Sequence, residues 1–151
     1  MAISRASRIR NEMCYLQLCI DDYDSGEIRG RLFNAYYREA LLFNSCMEMV
    51  RQIEEIFNKF DYPHATMDLR SFESEEEAKE HQPVIRVRMA PTQELYTHDV
   101  KGGLATLKMR VMFRQNASWQ GMLKWLEEGQ EERFQSVLEL LLLIDSIFSE
   151  D

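Results

Sequence analysis

Laid against itself with an offset of 91 residues, the chain places "GRLFNAYYREALLFNSCMEMVRQIEEIF" on "GMLKWLEEGQEERFQSVLELLLLIDSIF" without a gap. Gly30 meets Gly121, Leu32 meets Leu123, Phe43 meets Phe134, Ser45 meets Ser136, and Ile53, Ile56 and Phe57 meet Ile144, Ile147 and Phe148. A self-match of this kind restricts the fold to two units of one build. At 151 residues the chain supports a single core. The expected organisation is therefore one domain, with internal repeats over 14–60 and 105–149 joined by a strand-containing insertion over 61–104.

The matched residues are punctuation marks. Ser45 with Glu48, and Ser136 with Glu139, each spell a capping box, so two helices are expected to start at equivalent places. The helix over roughly 46–60 has Met49, Ile53, Ile56, Phe57 and Phe60 on one side and Glu48, Arg51, Gln52, Glu55 and Lys59 on the other, the pattern of a helix lying on a sheet. The helix over about 137–149 is apolar nearly all round. Ahead of each helix lie strand-like runs: "YLQLCI", "GEIRGRLF" and a piece around Ala40 to Phe43 in the first half, "ATLKMRVMF", "WQGMLKWL" and Arg133–Phe134 in the second. "ATMDLRSF" and "PVIRVRM" predict further strands within the insertion, separated by the charged run "ESEEEAKEHQ".

The fold class expected from this order is α+β: an antiparallel sheet built from two strand-strand-strand-helix repeats, with the helices on one side. Period two places Trp119, Gly121, Leu123 and Trp125 on the core face of one strand. A glycine between two indoles predicts a close backbone approach or a bulge there, and Gly30 does the same between Ile28 and Leu32.

The doubled arrangement, together with "KMRVMFRQNASWQGMLKW" running into a helix, resembles the repeat of the Pur-alpha family through Gln115, Asn116, Gly121, Leu123 and Lys124. That resemblance implies two intertwined PUR repeats and a sheet surface that binds single-stranded DNA or RNA. The first half departs from the pattern, with Asp24-Ser25 where Gln-Asn would stand. The C-terminal block "FRQNASWQG" also resembles small uncharacterised bacterial proteins of no stated function.

Charge gives the nucleic-acid idea a second footing. Arg29, Arg31, Arg70, Arg86, Arg88, Lys108, Arg110, Arg114 and Lys124 fall on the expected non-core strand faces, half of the 18 Lys and Arg. Arg86, Arg88, Lys108, Arg110, Arg114 and Lys124 are the candidate contacts to a phosphate backbone. The competing reading is a solvated face whose cations pair across strands with acids such as Asp21 or Asp68. The net charge of −8 favours that second reading.

No glycine-rich phosphate loop, G-x-S-x-G or H-E-x-x-H occurs, and His64, His81 and His98 stand apart from any cysteine at ligand spacing. No catalytic residue, metal or cofactor is expected. Three cysteines and a basic N-terminal dozen without an apolar core suggest a reduced, cytoplasmic setting. No run is long enough to predict a membrane span. Because the second helix has too many apolar residues for one sheet to cover, Leu138, Leu141, Leu142 and Leu143 are the candidates for self-association. The expected function is a non-enzymatic interaction module, a homodimer or the binder of a protein partner, with single-stranded nucleic acid as the alternative and a small-ligand binder or enzyme as the remaining open class.

Overall fold

The computed structural model describes residues 15–34, 37, 39–60, 63, 65–66, 72 and 100–149. They form β1 (Tyr15–Asp24), β2 (Glu27–Phe33), β3 (Leu41–Phe43), α1 (Cys46–Phe60), β4 (Ala105–Phe113), β5 (Gln120–Trp125), β6 (Gln130–Phe134) and α2 (Val137–Phe148). The strands make one antiparallel sheet in the order β3-β2-β1-β4-β5-β6, and the class is α+β. The strands expected in the insertion lie outside the described residues, apart from Ala65, which bridges in parallel to Arg114.

Period two sorts the strand residues onto two faces. Leu16, Leu18 and Ile20 of β1, Ile28 and Leu32 of β2, Phe43 of β3, Leu107, Met109 and Val111 of β4, Leu123 of β5 and Phe134 of β6 are all buried in one cluster. Met49, Ile53, Ile56 and Phe57 of α1 and Leu140 and Ile144 of α2 complete that cluster, so both helices cover this face. Burying each large side chain contributes about 2 kcal/mol, which makes this layer the main source of stability.

The centre of the sheet is the β1–β4 pairing, in which Gln17 lies opposite Lys108. On either side Leu16 faces Met109 and Leu18 faces Leu107, while Tyr15 faces Arg110 and Cys19 faces Thr106. Shifting by 91 turns each of these pairs into its opposite number, so the ladder is related to itself by a two-fold axis at Gln17 and Lys108.

Other features keep the same offset. Ser25 and Gly26, like Asn116 and Ala117, have positive φ, which gives both hairpin turns the hand that suits twisted strands. Glu48 N–H donates to Ser45 Oγ at 3.1 Å and Glu139 N–H to Ser136 Oγ at 3.0 Å. Of each expected capping box this is the hydroxyl half. The next free amide is satisfied from outside the helix instead: Cys46 N–H donates to Glu27 Oε1 of β2 and Val137 N–H to Ser118 Oγ in the β4–β5 turn, both at 2.8 Å.

The two glycines lie against bulges in their neighbours. Gly30 is opposite Ile20 and Gly121 opposite Val111, and in each case the neighbouring strand gains one residue at that point, between Ile20 and Asp22 or between Val111 and Phe113. A Cβ on Gly30 would lie 2.0 Å from Cys19 O, and one on Gly121 would lie 2.0 Å from Arg110 O. Only a residue without a side chain tolerates that approach. Gly30→Ala and Gly121→Ala should each destabilise the protein by about 2–3 kcal/mol in urea unfolding, since the bulged backbone must move to admit a methyl group. A cost near zero at both positions would show that the bulges do not depend on them.

Candidate functional site

The bulges decide which side chains reach which face. Beyond its bulge β4 is out of step with its earlier alternation, so Arg114, expected on the open face, points to the helix side and is 2% exposed. Its guanidinium donates to Glu54 Oε1 at 2.9 Å and to Asn58 Oδ1 at 2.6 Å, and also bonds the carbonyls of Pro63 and Phe57. It lies 5.7 Å from the Phe57 ring centroid. A buried arginine paired with Glu54 and bonded by four of its donors to protein does not contact a phosphate backbone. Arg114 is a structural residue and leaves the candidate nucleic-acid set.

Tyr23 stands 91 residues before Arg114 and does the same for the other helix. Its hydroxyl donates to Asp145 Oδ1 at 2.7 Å and its ring stacks on Phe148 with centroids 4.9 Å apart. The bond to Asp145 pushes the phenol above its ordinary pKa. Each half thus sends one side chain into the helix of the other. Trp119 strengthens one side of this exchange, donating from Nε1 to Glu54 Oε2 at 2.7 Å and meeting Phe57 edge-on.

The open sheet face is divided. Over β1 and β2 it is roofed by residues 100–104: Gln17 donates to Val100 O, Arg31 to Lys101 O, Gly102 N–H to Thr106 Oγ1 and Gly103 N–H to Asp21 Oδ1. Gln17, Cys19 and Thr106 are consequently buried although they point away from the helices. Arg31 makes a two-pronged pair with Asp21 at 2.9 and 3.1 Å, and this bond holds the Asp21 carboxyl below the usual carboxylate range. Arg29 pairs with Asp22.

Over β4, β5 and β6 the face is different. Lys108 lies directly opposite Lys124, and in the next row Met122 separates Arg110 from Arg133. Among the described residues no ion pair reaches Lys108, Lys124 or Arg133, while Arg110 lies 5.3 Å from the ring centroid of Tyr15. Arg86 and Arg88 lie outside the described residues. Arg133 was not among the sequence candidates, although its place one residue before the core residue Phe134 was the signal that it faces outward.

The flank of α2 is the second candidate surface. Leu138 and Leu142 are 68% and 59% exposed, whereas Leu141 and Leu143 pack partly against the core. Beside the helix, Leu123, Trp125, Leu143 and Ile147 wall a cleft of about 150 Å³ with Gln130, Glu132 and Ser146 at its rim. The Trp125 indole N–H is buried and has no acceptor among the described residues. Nothing in the sequence pattern had separated this cleft from the rest of the core.

Chemistry-bearing groups are few. Cys19 is buried and unbridged, with its thiol pushed up by that burial, and Cys46 is raised for the same reason, the opposite of an activated nucleophile. Among the described residues no three metal-ligating side chains gather, and no described helix is long and apolar enough to cross a membrane. His64, His81 and His98 lie outside the described residues. No family model, curated protein or solved structure matches the chain.

Arg114→Ala should cost about 3 kcal/mol or more in thermal or urea unfolding, because it strands Glu54 beside the core, whereas Arg110→Ala on the open face should change stability by less than about 0.5 kcal/mol. Equal effects at the two positions would remove the distinction between them.

Proposed function

We propose that this chain is a non-enzymatic interaction module that associates with a second copy of itself through the outer face of α2. The observation that carries the reading is the exposure of Leu138 and Leu142 one helical turn apart, on a helix whose other exposed residues are Glu139 and Ser146. Apolar side chains in adjacent turns form a continuous strip, and a strip of that kind marks an interaction surface. In an antiparallel two-fold pairing each Leu138 meets the partner's Leu142, so one short helix serves both sides. The halves are read as two PUR-like repeats; the element order, the paired glycines and the crossed helix contacts of Tyr23 and Arg114 support it. A cytoplasmic setting agrees with the unbridged thiols of Cys19 and Cys46.

Sedimentation at micromolar concentration should give a dimer, and the double variant Leu138→Glu, Leu142→Glu should sediment as a folded monomer whose unfolding midpoint no longer depends on protein concentration. A wild-type monomer, or a variant that still pairs, would end this reading.

One observation favours single-stranded nucleic acid as a second reading. Two lysines directly opposite each other repel, and an anion laid between them relieves that repulsion. Lys108, Lys124, Arg110 and Arg133 form such a cationic patch with the Tyr15 ring at its margin. Oligonucleotide binding should then weaken steeply with salt and be lost in Lys108→Glu, Lys124→Glu, and the absence of binding at low salt would dismiss it.

A further inference from the structure

The cleft beside α2 differs from its counterpart in the first half in one respect. There Tyr37, between β2 and β3, lies in the core at 2% exposure. Its ring meets Phe60 edge-on, with centroids 6.4 Å apart, and its backbone N–H donates to Asn34 O at 3.2 Å; burial, with the Glu55 charge second, pushes its phenol above the ordinary pKa. Glu55 is the counterpart of Ser146, while Asn34, Leu41 and Ile56 are the counterparts of Trp125, Glu132 and Ile147. Tyr37 therefore fills, from within the chain, the flank of α1 that corresponds to the cleft flank of α2.

The second half has no such ring to send. Its β5–β6 connection is the tight turn 126–129, closed by Gly129 N–H donating to Leu126 O, and the counterpart of Tyr37 is the exposed Glu128. What remains is a cleft of about 150 Å³. An apolar space of that order holds one benzene-sized ring. Leu123, Leu143 and Ile147 offer it apolar walls, Trp125 an aromatic surface, and Glu132 and Ser146 acceptors at the rim for a phenolic hydroxyl.

We propose that this cleft is a receptor for one tyrosine-type side chain carried by an extended segment of a partner protein. The proposal rests on the reading of the α2 flank as a protein-binding surface. Among the described residues β6 has a strand neighbour on one side only, so its outer edge can accept an added strand, whose alternate side chains would point to the helix side where the cleft opens. Exposed Glu128, Glu131 and Glu132 around that edge select a segment with basic flanks.

The indole resonances of Trp125 and Trp119 in nitrogen-15 spectra report on binding while N-acetyltyrosinamide is added, with N-acetylleucinamide as the control. The Trp125 resonance should move saturably with the tyrosine probe alone, while that of Trp119, fixed on Glu54, stays in place. Filling the cleft by Ser146→Phe or, independently, by Leu143→Trp should weaken binding about tenfold or more, a loss of about 1.4 kcal/mol. An unmoved Trp119 resonance shows that each variant is folded. No saturable shift at Trp125, or binding unaffected by the cleft-filling variants, overturns the proposal. Leu138→Glu, Leu142→Glu should retain probe binding, so loss of self-association and loss of ring binding are read separately.

Discussion

Two carbonyl groups, Cys19 O and Arg110 O, lie where the Cβ atoms of Gly30 and Gly121 would otherwise be, and the rest of the structure follows from that approach. The missing side chains let β1 and β4 bulge towards their neighbours. Each bulge reverses the alternation of the strand beyond it, so Tyr23 and Arg114 leave the open face and reach the helices. Because the two-fold axis at Gln17 and Lys108 sets these strands antiparallel, each side chain arrives at the helix of the opposite half. Two positions without a side chain therefore determine how the two halves hold each other.

Much of this order was legible in the residues. Ser45 and Ser136 announce their helices because a hydroxyl at that position competes well for a free amide, and the alternation of Leu16, Leu18 and Ile20 places β1 in the core layer without further help. Gly121 between two tryptophans signalled the bulge or close approach. What it could not reveal is the strand that bulges, since that residue lies on the neighbouring chain segment. The consequence was the misplacement of Arg114: period two carries it to the open face, and the extra residue at Met112 turns it inward. The roof over Cys19 was equally hidden, for its bonds join Gln17 to Val100 and Asp21 to Gly103 across the length of the chain.

The two candidate surfaces differ in how their unsatisfied groups arose. On the open face, the β1–β2 side neutralises its arginines with Asp21 and Asp22 and covers its polar centre with residues 100–104. The β4–β5–β6 side has Thr106 in the covered row but Lys108 and Arg110 beyond it, where the acid in register is Glu131, opposite Lys124, and no described ion pair reaches either residue. On the helix side, the asymmetry comes from the connection between the second and third strands of each half. The residues after β2 supply Tyr37 and their counterparts after β5 supply nothing, so the α1 flank holds a ring where α2 keeps a cleft, while Met47 of α1 is exposed like its counterpart Leu138.

The crossed contacts also govern how the chain can unfold. Tyr23 and Asp145 are 122 residues apart, and Arg114 and Glu54 are 60 apart, so neither helix completes its packing until both halves of the sheet are present. A half released by a cut in the connection would lose its central strand pairing and the opposite half's anchor on its helix at the same moment. These contacts couple the two halves, so a single cooperative unfolding transition is expected, with assembly slowed by the loops that must close before any of them can form.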